Sequence, residues 1–213
     1  MSAIKVKKLK YPMGQKGNKT REEFINNAFL IVEQEGVGNL TTRNLYAKTG
    51  LGQSSFYSQF KNLDNLILEI NNLTLKKIQT LLNESIEKGK RQEKTYKEII
   101  GLIALAFIEF AENNYNLWCL LFEYKLVNND SLPEWFSDEV ENVFSVVVRY
   151  IEGELGDKKE SKAFGAILWA SLHGLINLHH NNKLKTVTTD HPRELSKILV
   201  ENLVRVPNTP VSI

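Results

Sequence analysis

Residues 41–60 read TTRNLYAKTGLGQSSFYSQF, and this order of residue types decides the fold. Thr41 or Thr42 can cap a short helix carrying Leu45 and Ala47, because a threonine oxygen accepts an amide proton left over at a helix start. Gly50 then permits a sharp turn, and a third short helix follows over Gln53 to Gln59. Upstream, Thr20 stands three residues before Glu23, a capping-box spacing. From there Phe24, Ala28, Ile31 and Val32 recur on one helix face until Gly36 stops it. Two short helices about a glycine turn, braced by a longer one, make a helix-turn-helix head, and the chain as a whole reads as all-α.

In such a unit the second short helix lies in the major groove with its first side chains at base edges, so Gln53, Ser54 and Ser55 are the expected base contacts. Glutamine pairs bidentately with adenine, whereas serine is permissive. Phe56 and Phe60, four apart, are expected to pack on the first helix and fix the angle of presentation. Thr41, Thr42, Tyr57, Ser58, Gln59 and Lys61 lie at or near helix ends, where hydroxyl, amide and ammonium groups can reach phosphates without reading sequence. Each has an ordinary structural alternative, Tyr57 as a half-buried core residue among them.

Charge supports the same division. The net charge of +2 over 213 residues hides ten Lys or Arg against five acids in residues 1–66, which leaves the remainder at −3. A basic first third on a mildly acidic body suits a phosphate-binding head joined to a module that does not bind nucleic acid. Residues 1–19 read as a flexible basic arm, 20–66 as the DNA-binding head, 67–206 as a helical body and 207–213 as a tail. A long amphipathic segment over 63–87, with Leu63, Leu66, Ile67, Ile70, Leu73, Ile78, Leu81 and Leu82 near a 3.6 period, connects head to body.

Further helices are expected over 92–113, 115–127, 135–155, 160–181 and 192–205. Val143 to Ile151 has strand propensity, but no second such run exists to pair with it, so helix is the reading. Ala163, Ala166, Ala170 and Gly174 form a small-residue stripe, and Leu195, Ile198, Leu199 and Leu203 an apolar face; either completes the monomer core or receives a second subunit. Phe107, Phe110, Trp118, Phe122, Trp135, Phe144 and Trp169 either line an apolar pocket or fill the core.

Several chemistries are absent. Gly50-Leu51-Gly52 lacks the rest of a dinucleotide fingerprint, and no phosphate-binding loop or Gly-x-Ser-x-Gly elbow occurs, so no enzyme is indicated. His173, His179, His180 and His191 lack metal-ligand spacing, and neither a metal nor another cofactor is expected. Cys119, the sole cysteine, sits in an apolar run and reads as a buried thiol. No membrane span or secretory signal is supported, and a cytoplasmic location is expected.

Thr20 to Leu66 resembles the head of TetR-family regulators: a helix ending at glycine, then Thr-Thr, then Gly50-Leu51, then Phe56-Tyr57-x-x-Phe60 followed by an acid and leucine. Tyr46, Gly52, Gln59 and Leu63 depart from that pattern, where the family usually has Ala, Ser, His and a phosphate-contacting Lys. Trp169, His173 and Gly174 resemble the Trp-x-x-x-His-Gly signature of one C-terminal subgroup. The resemblance implies a homodimer formed by the helices at 160–181 and 192–205. It also implies a double-stranded operator and a repressor released by a small-molecule effector. Phe107, Phe110, Trp118, Phe122, Phe144, Trp169 and His173 would then be the pocket. The competing reading is an architectural or accessory DNA-binding protein without an effector.

Overall fold

The computed structural model describes residues 15–127 and 132–204, and the regular elements within them are all helical. They fall into two compact units: residues 15–71 with 116–127, and residues 72–115 with 132–204. The expected head and body boundary at 66/67 therefore moves by a few residues. The segment after 115, expected in the body, groups instead with the head.

In the first unit α1 spans Gln15–Glu35. It begins before Thr20, so residues 15–19 of the expected arm are helical. Gly17 costs only about 1 kcal/mol inside a helix, too little to end so long a run. Residues 1–14 of that arm lie outside the described residues. Gly36 terminates α1 with φ 86°, and a 3-10 turn, Val37–Asn39, leads to α2, Thr42–Thr49. Thr41 is the cap, accepting from the Asn44 amide at 3.2 Å. Gly50, with φ 67°, closes α2 through its N–H to the Tyr46 carbonyl. The third helix, α3, is Gln53–Tyr57, shorter than expected because the amides of Gln59 and Phe60 both turn onto the Phe56 carbonyl.

Phe24, Phe56 and Phe60 form the centre of this unit. Their rings meet at 5.4 to 6.3 Å and all three are almost fully buried. Burying a side chain such as Phe56 contributes about 1.5–3 kcal/mol, and edge-to-face ring pairs add to it. Leu45, Ile31 and Val32 are sealed in the same core.

α4, Leu63–Arg91, belongs to both units. Its apolar stripe is as read, but residues 66–72 are buried on every side, Glu69, Asn71 and Asn72 included. A simple amphipathic helix would expose those three. Here Glu69 meets Arg21, and the Asn71 amide donates to the Leu120 carbonyl at 3.4 Å.

α5, Tyr96–Asn113, starts four residues later than expected because Thr95 and Glu98 form a reciprocal capping box. α6 ends at Phe122 rather than 127 (Tyr115–Phe122), where the amides of Glu123 and Tyr124 share the Cys119 carbonyl. Cys119 is half-buried rather than sealed. In the second unit α7, Glu134–Leu155, is helical through the valine run. It packs on α8, Lys158–His180. Their approach is close: a methyl on Gly165 would sit 3.2 Å from Val148 Cγ2. A 3-10 turn, Leu184–Thr186, precedes α9, Pro192–Leu203, which packs on α5 and α8. Residues 205 and 206 and the tail at 207–213 lie outside the described residues.

Candidate nucleic-acid interface

The phenylalanine core of the first unit fixes α3 with one side inward and the other in solvent. Phe56 is fully buried, whereas its neighbour Tyr57 is 54% exposed and sets its ring edge-on to Phe56 at 5.3 Å. Gln53 and Ser54 are exposed at the start of α3, and Ser55 is partly covered. Gly52 precedes them in extended conformation with no side-chain cap, which leaves the first amides of α3 without an intrachain side-chain acceptor. Thr41 is exposed, Thr42 partly covered and Lys61 exposed. The Thr41 oxygen accepts from Asn44, and its hydroxyl proton still has a direction in which to donate.

Two of the expected phosphate contacts also bond to each other. The Ser58 hydroxyl donates to the Ser55 carbonyl at 2.7 Å and accepts from Gln59 Nε2 at 3.1 Å. The charge count needs a correction. Arg21 is turned inward onto Glu69 and so withdrawn from solvent, whereas Lys48 pairs with Glu35 at 2.6 Å on the surface, a pair that holds it only weakly. Arg43, in the first turn of α2, is exposed and was not singled out in the sequence. Its only signal there was adjacency to the Thr-Thr cap.

The seven expected pocket residues do not come together within either unit. Trp118 and Phe122 stack at 4.3 Å and belong to the first unit, while the other five belong to the second. Phe107 is buried, Phe144 backs onto Gly165, and Trp169 is 43% exposed with its ring stacked on His173 at 5.4 Å. Phe110 alone of the seven borders a pocket of 340 Å³ in the second unit, with Leu81, Ala106, Glu84, Glu109 and Lys88 among its neighbours.

Near the ends of α5, α8 and α9 a cluster forms that residue spacing did not reveal. The rings of His179 and His191 lie 5.0 Å apart, and His191 Nε2 is 3.5 Å from Glu112. Arg193 pairs with Glu112 and Glu109, and the Tyr115 ring covers His180 at 4.2 Å. Burial holds the His180 pKa below its ordinary value; His179 adds to the effect and Glu112 opposes it. No set of three or more His, Cys, Asp or Glu among the described residues is arranged to hold a metal ion.

Residues 101–203 match the family model described as a tetracyclin repressor-like C-terminal domain. This part of the chain is similar to the C-terminal domain of TetR-type regulators. The TetR-like region contains the whole of α6, α7, α8 and α9 and most of α5, and within it lie Trp169, His173 and Gly174. Solved structures share the fold over nearly the whole chain. A protein of unknown function from Rhodococcus sp. RHA1 is 16% identical, with TM-score 0.70 over 91% of this chain and 95% of its own. A transcriptional regulator of the TetR/AcrR family from Aquifex aeolicus VF5 is 23% identical, with TM-score 0.53 over 86% and 97%. The transcriptional regulator FadR from Bacillus subtilis, solved with stearoyl-CoA, is 13% identical, with TM-score 0.58 over 86% and 97%. The all-α architecture of a helix-turn-helix head and helical body is thus the TetR-type fold.

Proposed function

We propose that this chain is a TetR-type DNA-binding transcriptional regulator rather than an enzyme, acting as a homodimeric repressor that a small molecule releases from its operator. One observation carries the DNA-binding part: α3 buries Phe56 while presenting Gln53, Ser54 and Tyr57 to solvent from a rigid aromatic base. Base contacts fall to Gln53, Ser54 and Ser55. Thr41, Thr42, Tyr57, Lys61 and Arg43 hold phosphates.

The dimer uses α8 and α9. Ala163, Ala166, Ile167, Trp169, Ala170 and Ile198 are exposed on these helices, and small residues on α8 let a partner helix approach closely. Two heads then meet successive major grooves about 34–36 Å apart or a multiple of that. The body falls in the Trp-x-x-x-His-Gly subgroup, a reading supported by Trp169, His173 and Gly174 inside the matched span. An effector shifts the dimer only if it binds one spacing of the heads better than the other. The stearoyl-CoA complex of the Bacillus subtilis regulator supports a ligand of some kind.

Burial of Phe107 and the packing of Phe144 on Gly165 favour the competing reading, an architectural or accessory DNA-binding protein without an effector. Selection of genomic DNA bound by the purified chain tests both. A preferred palindromic sequence, released by some compound in a small-molecule screen, supports the regulator. A preferred sequence that no compound releases supports the accessory protein. Binding that never discriminates a duplex from random competitor refutes the regulator and leaves the architectural protein, and absence of DNA binding refutes both.

A further inference from the structure

Arg21 makes three contacts that no surface cation makes. Its Nη2 lies 2.5 Å from Glu69 Oε1 on α4, its Nη1 donates to the Gln59 carbonyl at 2.6 Å, and its guanidinium carbon stands 4.4 Å from the centroid of the Phe60 ring. The side chains of Arg21 and Glu69 are only 14% and 6% exposed, so the pair is shielded from solvent and salt. Gln59 and Phe60 are the chain's exit from α3, and Glu69 lies on the continuous helix that runs on to Arg91. A peptide carbonyl oxygen is a hydrogen-bond acceptor, and a planar guanidinium can bind it and a carboxylate at once while stacking on a ring. An ammonium has no such fork.

We propose that Arg21 is a positioning residue for DNA binding: it ties the exit of α3 to α4 and so fixes the angle at which Gln53, Ser54 and Tyr57 are presented. This rests on the reading that α3 enters the groove. Hydrophobic burial of Phe24, Phe56 and Phe60 holds the head together, but apolar packing is non-directional and tolerates small rotations. The two charge-assisted bonds supply the direction. Movement of α4 at Glu69 is then passed through Arg21 to the exit of α3.

The test uses the full-length chain, titrated by fluorescence anisotropy against a duplex recovered by genomic selection and against a random duplex, at two salt concentrations, with thermal unfolding alongside. Arg21→Lys keeps the charge and loses the fork. Affinity for the selected duplex should fall roughly ten-fold or more. Affinity for the random duplex and the salt slope should stay unchanged. An equal loss on both duplexes with a shallower salt slope would mean that Arg21 binds phosphate, and would overturn the proposal. So would a loss that merely follows a lowered melting temperature, or no loss. If Arg21→Lys melts below the assay temperature, Glu69→Met carries the test. It leaves the contacts to Gln59 and Phe60, keeps a side chain of similar volume and removes the acceptor on α4, and the same selective loss is expected. Full operator preference in Glu69→Met overturns the proposal. A wild-type chain that prefers no duplex overturns the groove reading beneath it, and that control separates the two failures.

Discussion

Gly50 offers a clean test of what holds the helix-turn-helix together. Its φ is 67° and its ψ 7°, and a Cβ built on it meets nothing within 4 Å. Substitution therefore adds no clash, and the cost is the left-handed backbone alone. For alanine that conformation costs about 1–2 kcal/mol. Loss of glycine's freedom in the unfolded chain offsets part of it, leaving a net loss of about 1 kcal/mol. In a chain of this size that lowers the melting temperature by about 2–4 °C. Gly50→Asn should cost less than Gly50→Ala, because asparagine enters the left-handed region more readily, and Gly50→Val should cost more. Circular dichroism through urea and thermal unfolding gives the order, and anisotropy below the transition gives DNA affinity. Affinity should be retained in the folded Gly50→Ala protein, since no side chain on the α3 face is touched. Equal losses for Asn, Ala and Val would refute the backbone argument and point to a contact at Gly50.

Gly89 predicts a loss for the opposite reason. Alanine should gain about 1 kcal/mol of helix propensity there. However, its methyl would lie 2.5 Å from Ile99 Cγ1, and overpacking of that kind costs about 1–3 kcal/mol. Gly89→Ala should destabilise the wild type and become favourable in an Ile99→Ala background, a sign change that a urea double-mutant cycle detects. His180 predicts a pH dependence: burial lowers its folded pKa below the ordinary 6.5. As pH falls through 6.5 the unfolded chain takes up a proton that the folded chain resists, so this contribution is complete above 6.5 and declines on acidification toward the folded pKa. Melting temperatures measured from about pH 8 to about pH 5 should fall less steeply in His180→Asn. At the interface, Gln53→Ala should relax base preference at one position per half-site by about 1–3 kcal/mol. Tyr57→Phe should weaken operator and random duplex alike, and unchanged affinity would give Tyr57 no part in binding.

What the sequence made legible was set by how local each cause is. Thr41 and Gly50 act on amides and carbonyls within four residues of themselves, so residue type at a given spacing suffices. Phe56 and Phe60 were legible because helical periodicity assigns a face, and the only longer helix nearby was the one carrying Phe24. The aromatic positions of the body fail the same reasoning. Periodicity says that Trp118 faces inward, but not that it and Phe122 belong to the first unit while Phe110 belongs to the second. Arg21 shows the limit most clearly. By composition it is one of ten cations in a basic head, yet its partners stand 38 and 48 residues away and make it an internal strut. Lys48 pairs with Glu35 at the surface, and Lys19, Arg43, Lys48 and Lys61 are the exposed cations of described side chains in the head. Counterion release scales with phosphates neutralised at the surface, not with the formal charge of the segment. The salt dependence of DNA binding should accordingly be shallower than ten basic residues imply, and it should respond to Arg43→Ala and Lys61→Ala but not to Arg21→Lys.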